Sequence, residues 1–309
     1  MLGKSATSNN QSKQTLRDLL SVLPKIGLIK KPRFHQEGIS VILPVKDEAE
    51  WIEHSILSIE PIANEIIIID SSTEDDTTNI IAKLAKTHSK IKHIRFYYDY
   101  PNTIALKCHL GLVNASYKWV FKWEGDMVAK SEGLQIWKNR LNQLDKNRYY
   151  VIDLPRVNLE GDIYHQPKNY PLGGTIDGKA AEARIFTWSP ELKYIMKITD
   201  QVMGDSIWGQ RFPPWYKRLG WEEPYIFHCN IKNPKRMLMR IFWIDYMAYK
   251  GTQFKTLDEY TKFRVETEWH MTIEEAEQKV MIKLTENLMP YDKRRFGDLP
   301  EALTRKEQI

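Results

Sequence analysis

The chain has 309 residues, of which 42% are hydrophobic and 28% charged, with a formal net charge of +5 and ten tryptophans. That length holds one or two domains with a full core, and the composition is that of a soluble globular protein. No run approaches the roughly 18 apolar residues of a membrane span, and the first residues carry no apolar signal core.

Residues 1–14 are polar and read as disordered. Residues 15–30 carry apolar residues at helical spacing interrupted by Pro24, a segment expected to pack on the main domain rather than lie on a membrane surface. From Gly38 the run GISVILP reads as a buried strand. A helix is expected over Glu48–Ile59, with Trp51, Ile52, Ile56 and Ile59 on one face. NEIIIID gives a second strand and Glu74–Lys86 a second helix. KIKHIRFYY and Ile104–Ala115 supply a third pair, and YKWVFKWE a fourth strand. This alternation implies an α/β fold with a mostly parallel sheet flanked by helices.

Past residue 130 the alternation loosens. A helix over about 131–144 leads to the strand YYVIDLP, and then to a Gly-, Pro- and Asn-rich loop over Arg156–Gly178. ARIFTW and PYIFHC read as two further strands. From Pro234 the chain is mainly helical, with Thr272 as a helix N-cap. The division expected is an extension over 1–35, a main domain over 36–233 and a helical region over 234–309.

Much of the basic excess lies in Lys25–Arg33 and Lys232–Arg240. These read first as solvated faces, with a diphosphate or an anionic membrane surface as the alternative. Basic and aromatic residues form no nucleic-acid-binding module, so nucleic acid is not an expected partner. Cys108 and Cys229 form no CxxC and read as reduced thiols of a cytoplasmic protein. The tryptophans read as core residues by default, with stacking on sugar rings as the alternative.

Ligands of open α/β sheets sit beyond the carboxyl ends of the strands. Three acidic groups fall there: Asp47-Glu48 after the first strand, Asp70 after the second, and Glu124-Gly125-Asp126 after the fourth. Carboxylates crowded together repel, so their convergence points to a bound cation or polar ligand. Two carboxylates separated by one glycine can both reach a divalent ion, and hard oxygen donors suit Mg²⁺ or Mn²⁺. An ordinary acidic turn is the other reading of Glu124-Gly125-Asp126. In the stretch 73–76 the acids also suit the first turn of a helix.

In order and spacing, residues 38–128 resemble the donor half of the family 2 glycosyltransferases, which share the GT-A fold. The matching features are Pro44 with Asp47-Glu48, then Asp70-Ser71-Ser72 with Asp76-Thr77, then Lys107, then Glu124-Gly125-Asp126. The resemblance implies a nucleotide-diphosphate sugar as donor, probed with UDP first, and a divalent metal. It also implies that Pro44, Val45 and Glu48 line the nucleoside pocket and that Asp70 meets the base. Lys107 would lie near the nucleotide, Glu124 would face the ribose or metal, and Asp126 would be the main metal ligand. Asp47 stands where the family has asparagine, and Glu124 where it has aspartate.

An inverting transfer needs a carboxylate base for the acceptor hydroxyl. Alignment of the second half points equally to Asp200 and Asp205, with Glu222 and Glu223 behind them. His228 is a candidate metal or phosphate contact, although a lone histidine at a strand end is usually structural. Lys232, Lys235 and Arg236 could meet a diphosphate, with a solvated basic face preferred. The loop 156–178 is a candidate flap over an acceptor, whether glycan, lipid-linked sugar or protein. The acidic, glycine-free turn PVKDEAE argues against a dinucleotide-binding Rossmann site. A non-catalytic sugar-nucleotide-binding protein is the rival reading.

Overall fold

Alternate residues of each buried strand enter different cores, and this fixes the architecture. In the computed structural model, which describes residues 15–32, 36–97, 104–169, 172–173, 175–176, 179–180, 182–196, 208–248 and 253–304, the first strands are β1 (Gln36–Val45), β2 (Glu65–Asp70), β3 (Ile91–Arg95), β4 (Tyr117–Lys122), β5 (Met127–Val128) and β6 (Tyr149–Leu154). The helices between them are α1 (Ile52–Ile59), α2 (Thr77–Thr87), α3 (Ile104–Val113) and α4 (Ser131–Asn142). Val41, Leu43, Ile66, Ile68, Trp119 and Phe121 pack under α1, α2 and α4. Ile42, Ile67, Ile69 and Val120 pack on the other face under α3. A strand buried on both faces must be apolar at every position, as the run of four isoleucines in β2 is. Gly111 lets α3 lie close to the sheet, because a Cβ there would stand 3.0 Å from that of Ile42.

Seven more strands complete the middle of the chain: β7 (Arg156–Glu160), β8 (His165–Pro167), β9 (Leu172–Gly173), β10 (Thr175–Ile176), β11 (Lys179–Ala180), β12 (Glu182–Thr187) and β13 (Lys193–Met196). β14 (Trp208–Arg211), β15 (Tyr216–Gly220), β16 (Ile226–Asn230) and β17 (Leu288–Pro290) follow. The main sheet has the order β15-β6-β12-β4-β1-β2-β3. Every neighbouring pair in it is parallel except the two made by β12, which runs antiparallel to β4 and β6. The mostly parallel α/β sheet expected from the alternation is therefore present. The helical C-terminal region is α5 (Pro234–Ala248), α6 (Leu257–Arg264), α7 (Ile273–Glu286) and two short helices, α8 (Lys293–Phe296) and α9 (Glu301–Thr304). Thr272 caps α7 in a full capping box with Glu275.

Two local readings are corrected. The stretch 156–178 is not one long loop: β7 pairs in parallel with β16, and β8 pairs antiparallel with β17. In β7, Val157 and Leu159 alternate with Arg156, Asn158 and Glu160, and the two apolar residues fill a third core. That period of two is a strand signal in spite of the polar composition. The second helix starts at Thr77, not Glu74. The amides of Thr73 and Glu74 are used elsewhere, as described next.

Candidate active site

The turn after β1 is built by Asp47. Its backbone is left-handed (φ 52°), a conformation that aspartate and asparagine tolerate better than most residues. Its Oδ1 accepts from the amides of Thr73 (2.9 Å) and Glu74 (3.0 Å), while its own amide donates to Ser72 Oγ (2.9 Å). The amide of Glu48 donates to Thr77 Oγ1, and that of Ala49 to Asp75 Oδ2. The amides of Thr73 and Glu74 and the Asp75 carboxylate thus tie the two strand-end turns together, and Asp76 stands as the N-cap residue of α2. An asparagine at position 47 would offer the same acceptor oxygen and the same backbone.

Asp70 is fully buried, and protein donors occupy both of its oxygens. Oδ1 accepts from the Ser72 amide, and Oδ2 from Thr78 Oγ1, His93 Nε2 and Arg95 Nη1. Burial alone would raise its pKa, but the hydrogen bonds from His93, Ser72 and Arg95 outweigh burial and hold the carboxyl well below its usual range. Beside it, Lys107 Nζ donates to Ser71 Oγ (2.8 Å), and the Ser71 amide donates to the Val45 carbonyl. Pro44 and Val45 are buried at the end of β1.

The turn after β4 passes close under the β1 turn. A Cβ on Gly125 would lie 3.1 Å from Val45 Cγ2 and 3.2 Å from Glu48 Cβ, so glycine lets the two turns pack this closely without displacing either side chain. Helix α1 holds the turn from below: Ser55 Oγ donates to the Glu124 carbonyl and accepts from Trp123 Nε1. Strand β16 pairs with β5, and the Cys229 amide donates to the Asp126 carbonyl (2.8 Å). This pairing brings His228 to Asp126, with Nε2 3.3 Å from Oδ2. His228 Nδ1 lies 3.0 Å from Oδ1 of Asn158, its neighbour across β7. The Asn158 contact holds the ring so that Nε2 is the nitrogen turned toward Asp126.

Ligand atoms of Glu124, Asp126 and His228 all lie within 4.8 Å of one another. Two carboxylate oxygens and one imidazole nitrogen, the last fixed by a hydrogen bond behind it, suit a divalent ion such as Mn²⁺ or Mg²⁺. The residues present therefore fit the metal that the sequence implied.

The site is also rich in cations. Lys232 Nζ lies 2.5 Å from Glu48 Oε2 and 3.0 Å from Asp126 Oδ2, and Arg236 Nη2 lies 3.0 Å from Glu48 Oε1. Arg184 Nη1 lies 2.6 Å from Glu124 Oε1, and Lys122 Nζ 3.7 Å from the same atom. Burial and repulsion from Asp126 raise the pKa of Glu48, against the pull of Lys232 and Arg236. Burial would also raise Glu124 and Asp126, but the surrounding cations prevail and hold both well below the usual carboxylate range. For Glu124 these are Arg184 and Lys122; for Asp126 the hydrogen bond from His228 acts together with Lys232.

Among the expected site residues, the structure thus brings Glu48, Glu124, Asp126 and His228 into one cluster. It places Pro44 and Val45 at the end of β1, Asp70 at the end of β2 and Lys107 on α3, beside the turn after β2. Asp200 and Asp205 lie outside the described residues, in the connection between the paired strands β13 and β14. Lys232 and Arg236 are corrected from a solvated basic face to members of the cluster; the Lys232 side chain is only 7% exposed. Lys235 does point outward, to Asp258 on α6. Sequence reasoning used Arg184 only as the start of an Arg-x-Phe match and assigned it no role in the site. The register of β12 against β6 slips between Ala183 and Ile185, so Arg184 is the extra residue of a bulge, and bulges re-aim side chains beside sites. Its one visible signal was a single charge inside the apolar strand ARIFTW.

The model of the family described as "Glycosyl transferase family 2" matches residues 40–212, more than half of the chain. The chain belongs to glycosyl transferase family 2. That family is one of glycosyltransferases, the class of enzyme read from the sequence. The poly-beta-1,6-N-acetyl-D-glucosamine synthase of Staphylococcus epidermidis is 33% identical over 111 residues, covering 35% of this chain and 26% of that protein. An uncharacterized glycosyltransferase of Rickettsia felis is 29% identical over 145 residues, covering 46% and 22%. The chain therefore spans about a quarter of the length of the curated relatives it matches. Among solved structures, S. aureus TarS is 13% identical, with a TM-score of 0.44 over 75% of this chain and 44% of that one.

Proposed function

We propose that this glycosyltransferase moves a sugar from a nucleoside-diphosphate donor, a UDP-sugar in the first instance, to an acceptor hydroxyl, with inversion and with the help of a divalent metal. The observation that carries the reading is the cluster of Glu124, Asp126 and His228 at the carboxyl ends of the sheet, with Lys232 and Arg236 on its rim. Asp126 and His228, with Glu124 beside them, would hold the ion, which when bound supplies positive charge to offset the charge growing on the leaving diphosphate. Lys232 and Arg236 supply the same sign of charge from the protein and suit the diphosphate oxygens.

The β1 and β2 turns, cross-linked through Asp47, give the nucleoside a rigid floor of Pro44, Val45 and Glu48. With its lone pairs taken by His93, Arg95 and Thr78, Asp70 acts in this reading chiefly by fixing the shape of that floor. In the transfer itself the acceptor oxygen bonds to the anomeric carbon as its bond to the diphosphate oxygen breaks. The acceptor proton passes to a carboxylate, for which Asp200 and Asp205 remain the proposed bases, and the nucleoside diphosphate leaves with the electron pair. The acceptor is a glycan, lipid-linked sugar or protein hydroxyl. Both cysteines are buried free thiols, which accords with the cytoplasmic location proposed from sequence.

The test is a panel of nucleotide sugars with and without Mn²⁺, read by thermal shift and by release of nucleoside diphosphate, on wild type and Asp126→Asn. The expected result is donor release that needs the metal and falls by about 10²–10³-fold in the variant. Absence of binding to any nucleotide sugar, with metal present, would refute the proposal.

A further inference from the structure

Residues 15–32 form a small layer on the amino-terminal edge of the sheet, remote from the acidic cluster. The chain is helical over 15–20 and turns back over 21–29. Its inward side is well held. Ser21, Pro24 and Pro32 are buried, Tyr149 Oη at the first residue of β6 donates to the Lys30 carbonyl (3.3 Å), and Lys25 Nζ lies 3.5 Å from Asp145. The segment does pack on the main body, as its apolar spacing suggested.

Its outward side is what packing leaves unexplained. Leu16, Leu19, Ile26 and Leu28 are 56%, 67%, 61% and 73% exposed. Scattered exposed leucines need no account, but four large aliphatics within thirteen residues of one short layer do. They are accompanied by Arg17, Lys25, Lys30 and Lys31, against Asp18 as the one acid of the stretch 15–32. The neighbouring turn adds Lys146 and Arg148, with Asp145 engaged by Lys25 and Arg148.

We propose that this layer docks the protein on an anionic lipid surface, with Leu16, Leu19, Ile26 and Leu28 entering the headgroup boundary and the basic rim facing the lipid phosphates. Exposed aliphatics ringed by lysine and arginine are the composition of an interfacial anchor, in which apolar burial and attraction to anionic lipid add. A second copy of the chain fits the same patch poorly, because it would set one basic rim against another. Among the described residues no helix is long and apolar enough to cross a membrane. The acidic cluster lies at the carboxyl ends of β1 and β4, so docking through the amino-terminal edge leaves it on the side turned from the lipid.

The experiment is co-sedimentation of the full chain with vesicles of phosphatidylcholine alone and of phosphatidylcholine mixed with phosphatidylglycerol, over a range of salt. Wild type is expected to bind the anionic vesicles and to be released by salt. Leu16→Ser with Leu19→Ser and Leu28→Ser should weaken binding by about tenfold or more, and Lys30→Glu with Lys31→Glu by about tenfold. The substituted side chains are exposed, and unchanged thermal melting verifies that each variant is folded. Failure of wild type to sediment with anionic vesicles overturns the proposal, as does equal binding by the variants. A dimer in solution that the serine substitutions dissolve would assign the leucines to a self-interface and overturn it as well.

Discussion

Replacing Lys232 by methionine removes an ammonium from the centre of the acidic cluster while keeping most of the side chain's length. The structure gives the size of the effect. Lys232 lies 3.0 Å from Asp126 Oδ2, where two unit charges at an effective dielectric constant of about 20 attract by about 5–6 kcal/mol. The cost of burying the lysine offsets part of this, since its side chain is 7% exposed and those of Glu48 and Asp126 are 16% and 12%. Removing one partner of such a pair typically costs about 3–5 kcal/mol. Lys232→Met should therefore be less stable by about 3 kcal/mol in metal-free buffer. Glu48, already raised by burial and by Asp126, loses its nearest cation and should rise further. Because the ammonium no longer competes for Asp126, Mn²⁺ should bind the variant more tightly in the absence of nucleotide and restore much of the lost stability. Urea denaturation with and without Mn²⁺ reads the first effect, and calorimetric Mn²⁺ titration the second. Unchanged metal-free stability together with equal or weaker Mn²⁺ binding would refute this account of the site.

Three other outcomes follow from the same contacts. Arg184→Met should cost about 3 kcal/mol, because it removes the buried arginine that Glu124 and Glu182 share and leaves them to Lys122 and Arg156; adding Glu124→Gln should recover part of the loss in a double-mutant cycle by thermal melting. Asp47→Asn should stay within about 0.5 kcal/mol of wild type, whereas Asp47→Ala should lose about 2–3 kcal/mol by giving up two accepted hydrogen bonds at a left-handed residue. Asp70 has a depressed pKa in the folded state, so its contribution to stability is complete above the unfolded value of about 4 and is lost as pH falls toward the folded value. Asp70→Asn should thus be less stable at neutral pH and should show a flatter decline in stability below about pH 5, measured by urea midpoints across pH.

The sheet was legible where the chain is apolar on both faces. The run of isoleucines in β2 and the strand VILPV of β1 permit no reading but a buried strand, and the acids at their ends then fall on one edge by topology alone. Strand β7 was not legible from composition, because Arg156, Asn158 and Glu160 give it a loop's polarity while only Val157 and Leu159 show its period. The stretch 73–76 misled for another reason. A local helix start competes with long-range bonds to Asp47, and sequence displays only the local half of that competition. Lys232 and Arg184 were hidden most deeply. Whether a basic residue is solvated depends on which carboxylate meets it, and their partners lie 184, 106 and 60 residues away.

Convergent carboxylates in a sequence argue for a cation, but they do not say whose. Here Glu124 is neutralised by Lys122 and Arg184, both rooted in the main sheet, while Glu48 and Asp126 are neutralised by Lys232 and Arg236 at the start of α5. The two pairs differ in what can replace them. The first belongs to strands packed on both faces, so Glu124 keeps its partners whatever binds; the glutamate's extra methylene, compared with the family's aspartate, reaches an arginine that a bulge has aimed at it. The second pair lies just before α5 and in its first turn and carries the right charge for a diphosphate. In the proposed reading, Lys232 and Arg236 would trade carboxylate oxygens for phosphate oxygens when an anionic donor binds, leaving Asp126 and His228 to hold a divalent ion without a competing ammonium. Donor and metal binding should therefore reinforce one another in the wild-type protein, each tightening the other by the same factor. In Lys232→Met that mutual effect should shrink, because the exchange that links the two events has lost its moving part. Titration of Mn²⁺ with and without UDP, in both proteins, measures the difference directly.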